Sequence, residues 1–207
     1  AAKDIVSWED LERLVASLYD GETYDARKEL GAFSTTGFND GDWLPTVTED
    51  IDPAIRLTPK RHYPTRSVKQ LKTVAVTEPQ PGKFVFDLGQ NMVGWPEMKI
   101  PVRKDETITM RFAGMLNKDG TLYTANYRSA KSINHYTANE NGTITWHPTF
   151  TFHGFRYVEL TGLSQDVKPD PSWVTGHVLH SDFGWGGKFT SSHQKLNTLQ
   201  SNIQWGL

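Results

Sequence analysis

Apolar and polar residues alternate along most of the chain from residue 70 onward. The alternation is clearest in ETITMRF, residues 106–112, and it recurs in short segments separated by turns rich in Pro, Gly and Asn. A period of two is the pattern of strands that bury one face. Strands are predicted at 71–77, 83–89, 94–100, 106–112, 121–127, 132–138, 143–150, 155–162 and 173–181. Short strands at this close spacing predict an all-β fold, an antiparallel β-sandwich or jelly roll.

The turn NENG, residues 139–142, ends in Asn-Gly. Both residues accept a positive φ, so this pair is a strong signal for a tight hairpin. The turn therefore predicts that the strands at 132–138 and 143–150 pair with each other as direct neighbours in the sheet.

The segment FTFHGFRYVEL, residues 150–160, alternates up to Gly154 and then loses its rhythm. A β-bulge at Gly154 would bring the two faces back into register, because a bulge adds one unpaired residue to a strand. The bulge predicts one aromatic core face made of Phe150, Phe152, Phe155 and Tyr157. It also places His153 and Arg156 together on the opposite face, where we expect them to contact an adjoining domain.

The N-terminal part of the chain departs from the strand pattern. SWEDLERLVASL, residues 7–18, has apolar residues at helical spacing after Ser7 and Asp10, which are placed like a capping box. These features predict a short N-terminal helix. Residues 43–66 carry four prolines and little periodicity, so they are interpreted as a connector between modules.

The C-terminal segment 191–207 also has helical spacing, with Leu196, Leu199 and Ile203 on one stripe. Either Ser191 or Ser192 is a suitable N-cap. Because the apolar stripe runs to the end of the segment, we expect this helix to need a packing partner.

Composition and charge exclude several classes of partner. Hydrophobic residues make up 37% of the chain and charged residues 22%, which supports a packed core. The formal net charge of −2 offers no basic surplus for a nucleic-acid backbone. No apolar run reaches the ~18 residues of a membrane span. We therefore expect a soluble chain with neither nucleic-acid nor membrane partners, in a compartment that the sequence leaves open.

The ends of the chain and its cysteine content add two expectations. The N-terminus has no Met and lacks the pattern of a signal peptide, so the sequence is interpreted as a segment of something longer. Cysteine is absent, which excludes disulfides, thiolate metal sites and cysteine nucleophiles.

Aromatic residues make up 12% of the chain and include 7 Trp. Such rings either stack on sugars or fill a sandwich core. LYDGETYDAR, residues 18–27, sets acidic residues between two tyrosines, which suits a sugar, a calcium ion or simply a polar turn. FNDGDW, residues 38–43, is similar to half of a calcium loop. The candidate carbohydrate-binding residues are Tyr19, Asp20, Tyr24, Asp25 and Trp43. Calcium is a candidate ligand, and no cofactor is required.

The sequence contains no pattern of a self-contained active site. Adjacent acidic pairs such as Glu49/Asp50 and Asp105/Glu106 fall in turns or on polar faces, where nothing makes two carboxyls converge on a sugar. His177 and His180 point to opposite faces of a strand. No serine lies in a G-x-S-x-G turn. Catalytic residues are therefore not expected in this chain.

Five motifs occur in the order known from bacterial-type α-L-rhamnosidases, which are inverting glycoside hydrolases. The motifs are LYDGETYDAR, FDLGQNMVGW, LNKDGTLYTANYRSAK, FTFHGFRYVELTG and KFTSSHQKLNTLQSNIQWG. The chain resembles this family from about residue 18 to its end. At Gly114 it departs from the family's Arg-x-Ala-Glu-Met pattern and lacks the carboxylate.

The resemblance implies a domain order. Residues 1–66 are similar to the end of an N-terminal carbohydrate-recognition module plus a connector, and residues 67–182 to a β-sandwich. Residues 183–207 resemble the linker and helix that lead to an (α/α)6 barrel outside this chain. The resemblance places the catalytic acid and base in that barrel, with the barrel as the main packing partner.

Three functional hypotheses remain open. The first is a non-catalytic segment of an enzyme that releases terminal α-L-rhamnose from glycosides. The second is a free-standing lectin-like module that binds rhamnosides through the five candidate residues. The third is a purely structural sandwich.

Overall fold

The computed structural model describes residues 14–41, 43, 48–164, 167–184 and 186–206. These residues form ten strands and one α-helix. The strands are β1 (Leu14–Ser17), β2 (Gly21–Asp25), β3 (Thr65–Lys72), β4 (Ala75–Gln80), β5 (Lys83–Val102), β6 (Thr107–Ala113), β7 (Ile133–Thr137), β8 (Gly142–Trp146), β9 (His153–Thr161) and β10 (Val174–Ser181). The helix, α1, covers Gln194–Trp205. The all-β prediction with a C-terminal helix is confirmed.

One long strand, β5, organises the whole sheet. Its first half pairs with β4 and β9, and its second half pairs with β10 and β8. The sheet runs in the order β1-β2-β7-β6-β9-β5-β10-β3. Because β5 takes part in both halves, the sheet curls over and encloses a core.

The core is built from alternating positions on both halves of the curled sheet. Its fully buried members include Phe86, Met98, Ile100, Ile108, Met110, Phe112, Phe155, Val158, Leu160 and Val174. Large apolar side chains that lose all contact with water contribute about 1.5–3 kcal/mol each. The sequence pattern of one apolar face per strand thus accounts for the sandwich.

The first two strands join the sheet of the sandwich. β1 pairs antiparallel with β2, and β2 pairs in parallel with β7, with Thr23 opposite His135. Ala26, directly after β2, is buried in the same core. The predicted domain boundary at residue 66 remains a prediction, but residues 21–26 pack with the sandwich that follows.

The hairpin predicted at the Asn-Gly turn is wrong. β8 pairs with residues 98–102 of β5 instead of with β7, whose partners are β2 and β6. The Asn141 side chain accepts a hydrogen bond of 2.8 Å from the Lys104 backbone N–H. This contact fixes the turn against the β5–β6 connection, so the chain crosses to the other half of the sheet.

The predicted N-terminal helix, residues 7–18, is wrong for residues 14–17. Residues 14–17 form strand β1, with Leu14 opposite Tyr24. Residues 7–13 of the predicted helix lie outside the described residues. Leu14, Val15 and Leu18 satisfy a helical spacing, but pairing with β2 decides the local conformation.

The β-bulge predicted at Gly154 is also wrong. Gly154 pairs regularly with Val93, and the irregularity lies in β5 between Asp87 and Met92. Phe155 is buried as expected, but Phe150 and Phe152 are 62% and 47% exposed. The predicted aromatic face therefore does not exist, because both of these residues precede the strand.

Two smaller predictions fail in loops and caps. Residues 121–127 form no regular strand; Leu122 makes a single bridge with Leu116, and residues 125–127 form a 3₁₀ turn. The N-cap of α1 is His193 in place of Ser191 or Ser192, and its side chain makes no capping hydrogen bond.

None of the helices in the described part of the chain has the length and apolar character of a membrane span.

Candidate functional site

The candidate sugar-binding residues of the first motif lie on and beside β2. Tyr19 and Asp20 are exposed in the turn between β1 and β2. The Tyr24 ring instead stacks on Tyr136, with ring centroids 6.0 Å apart, and packs at the same distance from Trp146. Tyr24 thus belongs to an aromatic cluster at the edge of the core, and only the turn residues face the solvent freely.

Asp25 is held by a neighbouring arginine. Arg27 donates from Nε and NH2 to the two carboxylate oxygens of Asp25, at 2.8 Å each, and from NH1 to Asp105 at 2.9 Å. These hydrogen bonds lower the pKa of Asp25. The carboxylate is therefore occupied within the chain and is poorly placed to bind a sugar hydroxyl or calcium.

Trp43 lies in the connector, where its ring packs on Phe38 with centroids 5.6 Å apart. Its backbone N–H donates to the Asp40 carbonyl. Among the described residues, no group of three His, Asp or Glu side chains is arranged to hold a metal ion. The acidic residues of the first motif thus do not form a calcium site with each other in this part of the chain.

Glu22 forms a buried junction that sequence reasoning missed. Its side chain is fully buried, and Oε2 accepts hydrogen bonds from the backbone N–H groups of Thr149 and Phe150 at 2.9 and 2.8 Å. Burial raises the pKa of the Glu22 carboxyl, although the two N–H donors oppose this shift. The residue ties the β1–β2 hairpin to the loop between β8 and β9.

Asn134 connects this junction to His153. Asn134 Oδ1 accepts hydrogen bonds from the Glu22 backbone N–H at 2.9 Å and from His153 Nε2 at 3.2 Å. His153 must therefore carry its proton on Nε2, and Nδ1 accepts from the Ser132 hydroxyl at 3.0 Å. Glu22 and Asn134 are 112 residues apart, so no short motif could reveal the cluster.

His153 is an internal residue. Its side chain stacks on Phe112, with ring centroids 4.3 Å apart, and burial lowers the pKa of the ring to about 4. Both ring nitrogens are used within the chain. This position corrects the expectation that His153 contacts an adjoining domain, since the ring offers that domain no polar atom.

Arg156, the second residue of that expectation, is partly exposed and forms a two-pronged pair with Asp87. Nε and NH2 of Arg156 donate to the two carboxylate oxygens at 2.8 Å each. The guanidinium also lies 5.0 Å from the centre of the Tyr157 ring. A contact between Arg156 and another domain remains a prediction.

The loop around Gly114 is closely packed. A Cβ at this position would lie 3.2 Å from Asn91 Oδ1. The Asn91 amide therefore occupies part of the space in which a longer side chain at residue 114 would begin.

A groove of about 840 Å³ separates α1 from the sheet. Its apolar lining includes Val68, Val93 and Trp205, and its polar lining includes Asp182 and Gln204. Lys69 Nζ lies 5.0 Å from the centre of the Trp205 ring and covers one of its faces. Trp205 also packs against the core and so attaches α1 to the sandwich.

The apolar stripe of α1 is open to solvent. Leu196, Leu199 and Ile203 are 46%, 55% and 53% exposed. None of the three lines the groove. The helix therefore turns its polar side and Trp205 toward the sheet, and its apolar stripe away from the sheet.

Two domain models match consecutive parts of the chain. Residues 8–69 match the α-L-rhamnosidase N-terminal domain, and residues 77–180 match the bacterial α-L-rhamnosidase concanavalin-like domain.

Individual relatives agree with these domain matches. An α-L-rhamnosidase of Formosa agariphila is 48% identical over 193 residues, which cover 93% of this chain and 21% of that protein. An α-L-rhamnosidase of Streptomyces avermitilis is 45% identical over 191 residues, which cover 92% of this chain and 18% of that protein. The chain thus spans about a fifth of the length of these relatives.

Solved structures show the same relationship. The Streptomyces avermitilis α-L-rhamnosidase complexed with L-rhamnose superposes with a TM-score of 0.85 at 45% identity, over 92% of this chain and 18% of that one. The enzyme from Dictyoglumus thermophilum gives a TM-score of 0.87 at 33% identity, over 94% of this chain and 22% of that one. Because the concanavalin-like domain model matches half of the sequence, the chain belongs to the bacterial α-L-rhamnosidase family.

Proposed function

We propose that this chain is the non-catalytic β-sandwich part of an α-L-rhamnosidase that hydrolyses terminal α-L-rhamnosyl residues with inversion. The observation that carries the proposal is the 48% identity to an α-L-rhamnosidase over nearly the whole chain, which spans only 21% of that enzyme. In this proposal, the catalytic acid and base lie in an (α/α)6 barrel outside the chain.

The state of the carboxylates supports a non-catalytic role. Asp25 is paired with Arg27, Asp87 with Arg156, and Glu22 with two backbone N–H groups. A glycosidase needs one carboxylic acid and one carboxylate that reach the same glycosidic bond. Asp25 and Asp87 are held by arginines of their own chain and are poorly suited to proton transfer. Glu22 is fully buried and cannot reach a glycosidic bond.

The exposed stripe of α1 supports a large packing partner. An apolar helix face in water is unfavourable, and covering Leu196, Leu199 and Ile203 would remove this cost. We propose that the barrel covers the stripe and that α1 is the helix that leads into it.

The enzymatic proposal is tested with an aryl α-L-rhamnoside. The chain alone is expected to give no turnover, and the protein extended by its natural downstream sequence is expected to release L-rhamnose. Proton NMR of the first product should show the anomer of inverted configuration. Turnover by the chain alone at the rate of the extended protein would contradict the placement of the active site.

The role of the stripe is tested with Leu199→Glu. In the chain alone this change should leave the melting temperature nearly unchanged, since Leu199 is already exposed. In the extended protein it should lower the melting temperature, because the charge would be buried at the interface. Equal effects in both proteins would contradict a partner on this face.

A lectin-like module is the second candidate function. It is favoured by the 74% exposure of Tyr19 beside Asp20 in the β1–β2 turn. Calorimetric titration with L-rhamnose, with and without calcium, should give heat that the Tyr19→Ala change abolishes. Unchanged heat in that variant would contradict binding at the turn.

A further inference from the structure

The two sides of α1 have opposite roles. Ser201, Gln204 and Trp205 line the groove, whereas Leu196, Leu199 and Ile203 form the exposed stripe. At about 100° per residue, the mean directions of these two sets lie roughly 160° apart around the helix. A partner that covers the stripe therefore approaches from the far side of α1 and does not fill the groove.

The groove is lined by both apolar and polar side chains. The sheet contributes Val68 and Val93, which are 38% and 48% exposed, and α1 contributes the Trp205 ring. Asp182 and Gln204 add a carboxylate and an amide. This combination suits a ligand with one apolar side and several hydroxyl groups.

His180 adds a hydrogen-bond acceptor to the lining of the groove. Its Nδ1–H donates to the Ser181 carbonyl at 2.7 Å, which leaves Nε2 of the neutral ring as an acceptor. His180 lines the groove together with Asp182. A sugar hydroxyl could donate to either residue and accept from the Gln204 amide.

The charges in the groove indicate a neutral ligand. Lys69 is positive and Asp182 is negative, and Asp182 also lies 3.5 Å from Arg66. An anion would approach Asp182 unfavourably, and a cation would approach Lys69 unfavourably. A polyhydroxylated ligand without charge avoids both costs.

We propose that the groove between α1 and the sheet is a saccharide-binding site that takes a neutral 6-deoxyhexose unit. The methyl group of the sugar lies against Val68 and Val93, and its hydroxyl groups face Asp182 and Gln204. The choice of rhamnose as this sugar rests on the proposed function, whereas the chemical class rests on the lining of the groove.

The test uses the ¹⁵N-labelled chain and the indole N–H resonance of Trp205, which the Trp205→Phe variant identifies. L-rhamnose and methyl α-L-rhamnoside should shift this resonance with a millimolar Kd. L-mannose differs from L-rhamnose by one added hydroxyl at C6. It should bind roughly tenfold more weakly, since that hydroxyl would face the apolar side chains of Val68 and Val93.

A pair of variants on α1 supplies the control. Gln204→Ala should weaken rhamnose binding roughly tenfold by removing a hydrogen-bonding partner. Asn202→Ala removes an exposed amide from the same helix outside the groove and should leave the Kd unchanged. Equal weakening by both changes would overturn the assignment.

Other outcomes would also overturn the proposal. They are an unshifted Trp205 resonance, equal affinity for L-mannose, and binding that Tyr19→Ala abolishes while Gln204→Ala preserves it. An unshifted Trp205 resonance together with rhamnoside hydrolysis by the extended protein would refute the groove site alone. Rhamnose binding in the groove without such hydrolysis would refute the enzymatic proposal alone.

Discussion

Arg156 donates two hydrogen bonds of 2.8 Å to Asp87 at the point where the pairing of β5 with β9 becomes irregular. Residues 88–91 of β5 have no partner in β9, because Asp87 is opposite Tyr157 and Met92 is opposite Phe155. The ion pair therefore bridges the break in the ladder and holds the two strands together there.

Replacing Arg156 by Lys should weaken this bridge. Lysine keeps the charge but cannot form the planar two-pronged contact. Because the arginine side chain is 38% exposed, we expect a loss of about 0.5–1 kcal/mol in the free energy of unfolding, measured by urea denaturation. Arg61→Lys, at an exposed position in the connector, is the matched control and should have no effect. Equal losses in both variants would show that the two-pronged contact between Arg156 and Asp87 contributes nothing to the free energy of unfolding.

Glu22→Gln should change how stability depends on pH. The pKa of Glu22 is raised by burial, so the folded protein binds this proton more tightly than the unfolded chain does. The stabilising contribution is fully present below the unfolded pKa of about 4.3 and is lost as pH rises through the higher folded pKa. Stability relative to Glu22→Gln should therefore fall between pH 4 and pH 7. Urea denaturation at both pH values measures this difference, and a constant difference would contradict the raised pKa.

Replacing Phe155 or Phe152 by alanine should have very different effects on stability, although the two residues are only three positions apart. Phe155 is fully buried against Phe112, with ring centroids 5.1 Å apart, whereas Phe152 is 47% exposed. Phe155→Ala should lower the free energy of unfolding by about 3–5 kcal/mol, and Phe152→Ala should lower it by less than about 0.5 kcal/mol. Chemical denaturation of the two variants checks this. Similar losses would mean that both rings belong to the core.

Two glycines in the neighbouring strands β5 and β9, Gly94 and Gly154, should respond in opposite ways to replacement by alanine. A Cβ on Gly94 would lie 1.8 Å from the backbone carbonyl oxygen of His177, whereas a Cβ on Gly154 would meet no atom within 4 Å. Gly94→Ala should destabilise the protein by about 3 kcal/mol, because β5 and β10 would be pushed apart. Gly154→Ala should be neutral or stabilise it by about 0.5 kcal/mol. Thermal melting of both variants provides the comparison, and a loss at residue 154 would contradict the open space there.

Strand positions with clear alternation were predictable from the sequence. The alternation over 106–112 predicts a strand, and the structure has β6 at 107–113. Such segments bury one face whatever their partners are, so a local pattern is sufficient.

The order of the strands was not predictable in the same way. The Asn-Gly pair lies at a bend where β8 begins, and the strands that it joins lie in different halves of the sheet. The alternation breaks near Gly154 in the sequence of β9, whereas the irregular pairing lies in β5 between Asp87 and Met92. The sequence of a strand indicates which of its side chains share a face, but it does not indicate which strand it pairs with or in what register.

The contacts of the candidate site residues could not be predicted from local sequence patterns either. The acidic neighbours of Asp25 make it a candidate ligand-binding residue in the sequence, but its partner in the structure is Arg27, two residues away. The Glu22–Asn134–His153 cluster depends on the parallel pairing of β2 with β7, which no local motif encodes.

The parallel pairing of β2 with β7 determines where the chain can be shortened. Without residues 14–26, β7 would become an exposed edge and could pair with strands of other molecules. The N–H groups of Thr149 and Phe150 would lose their acceptor, and the core would lose Ala26. A protein starting at residue 67 should therefore aggregate, and a soluble sandwich must retain the hairpin that precedes the connector.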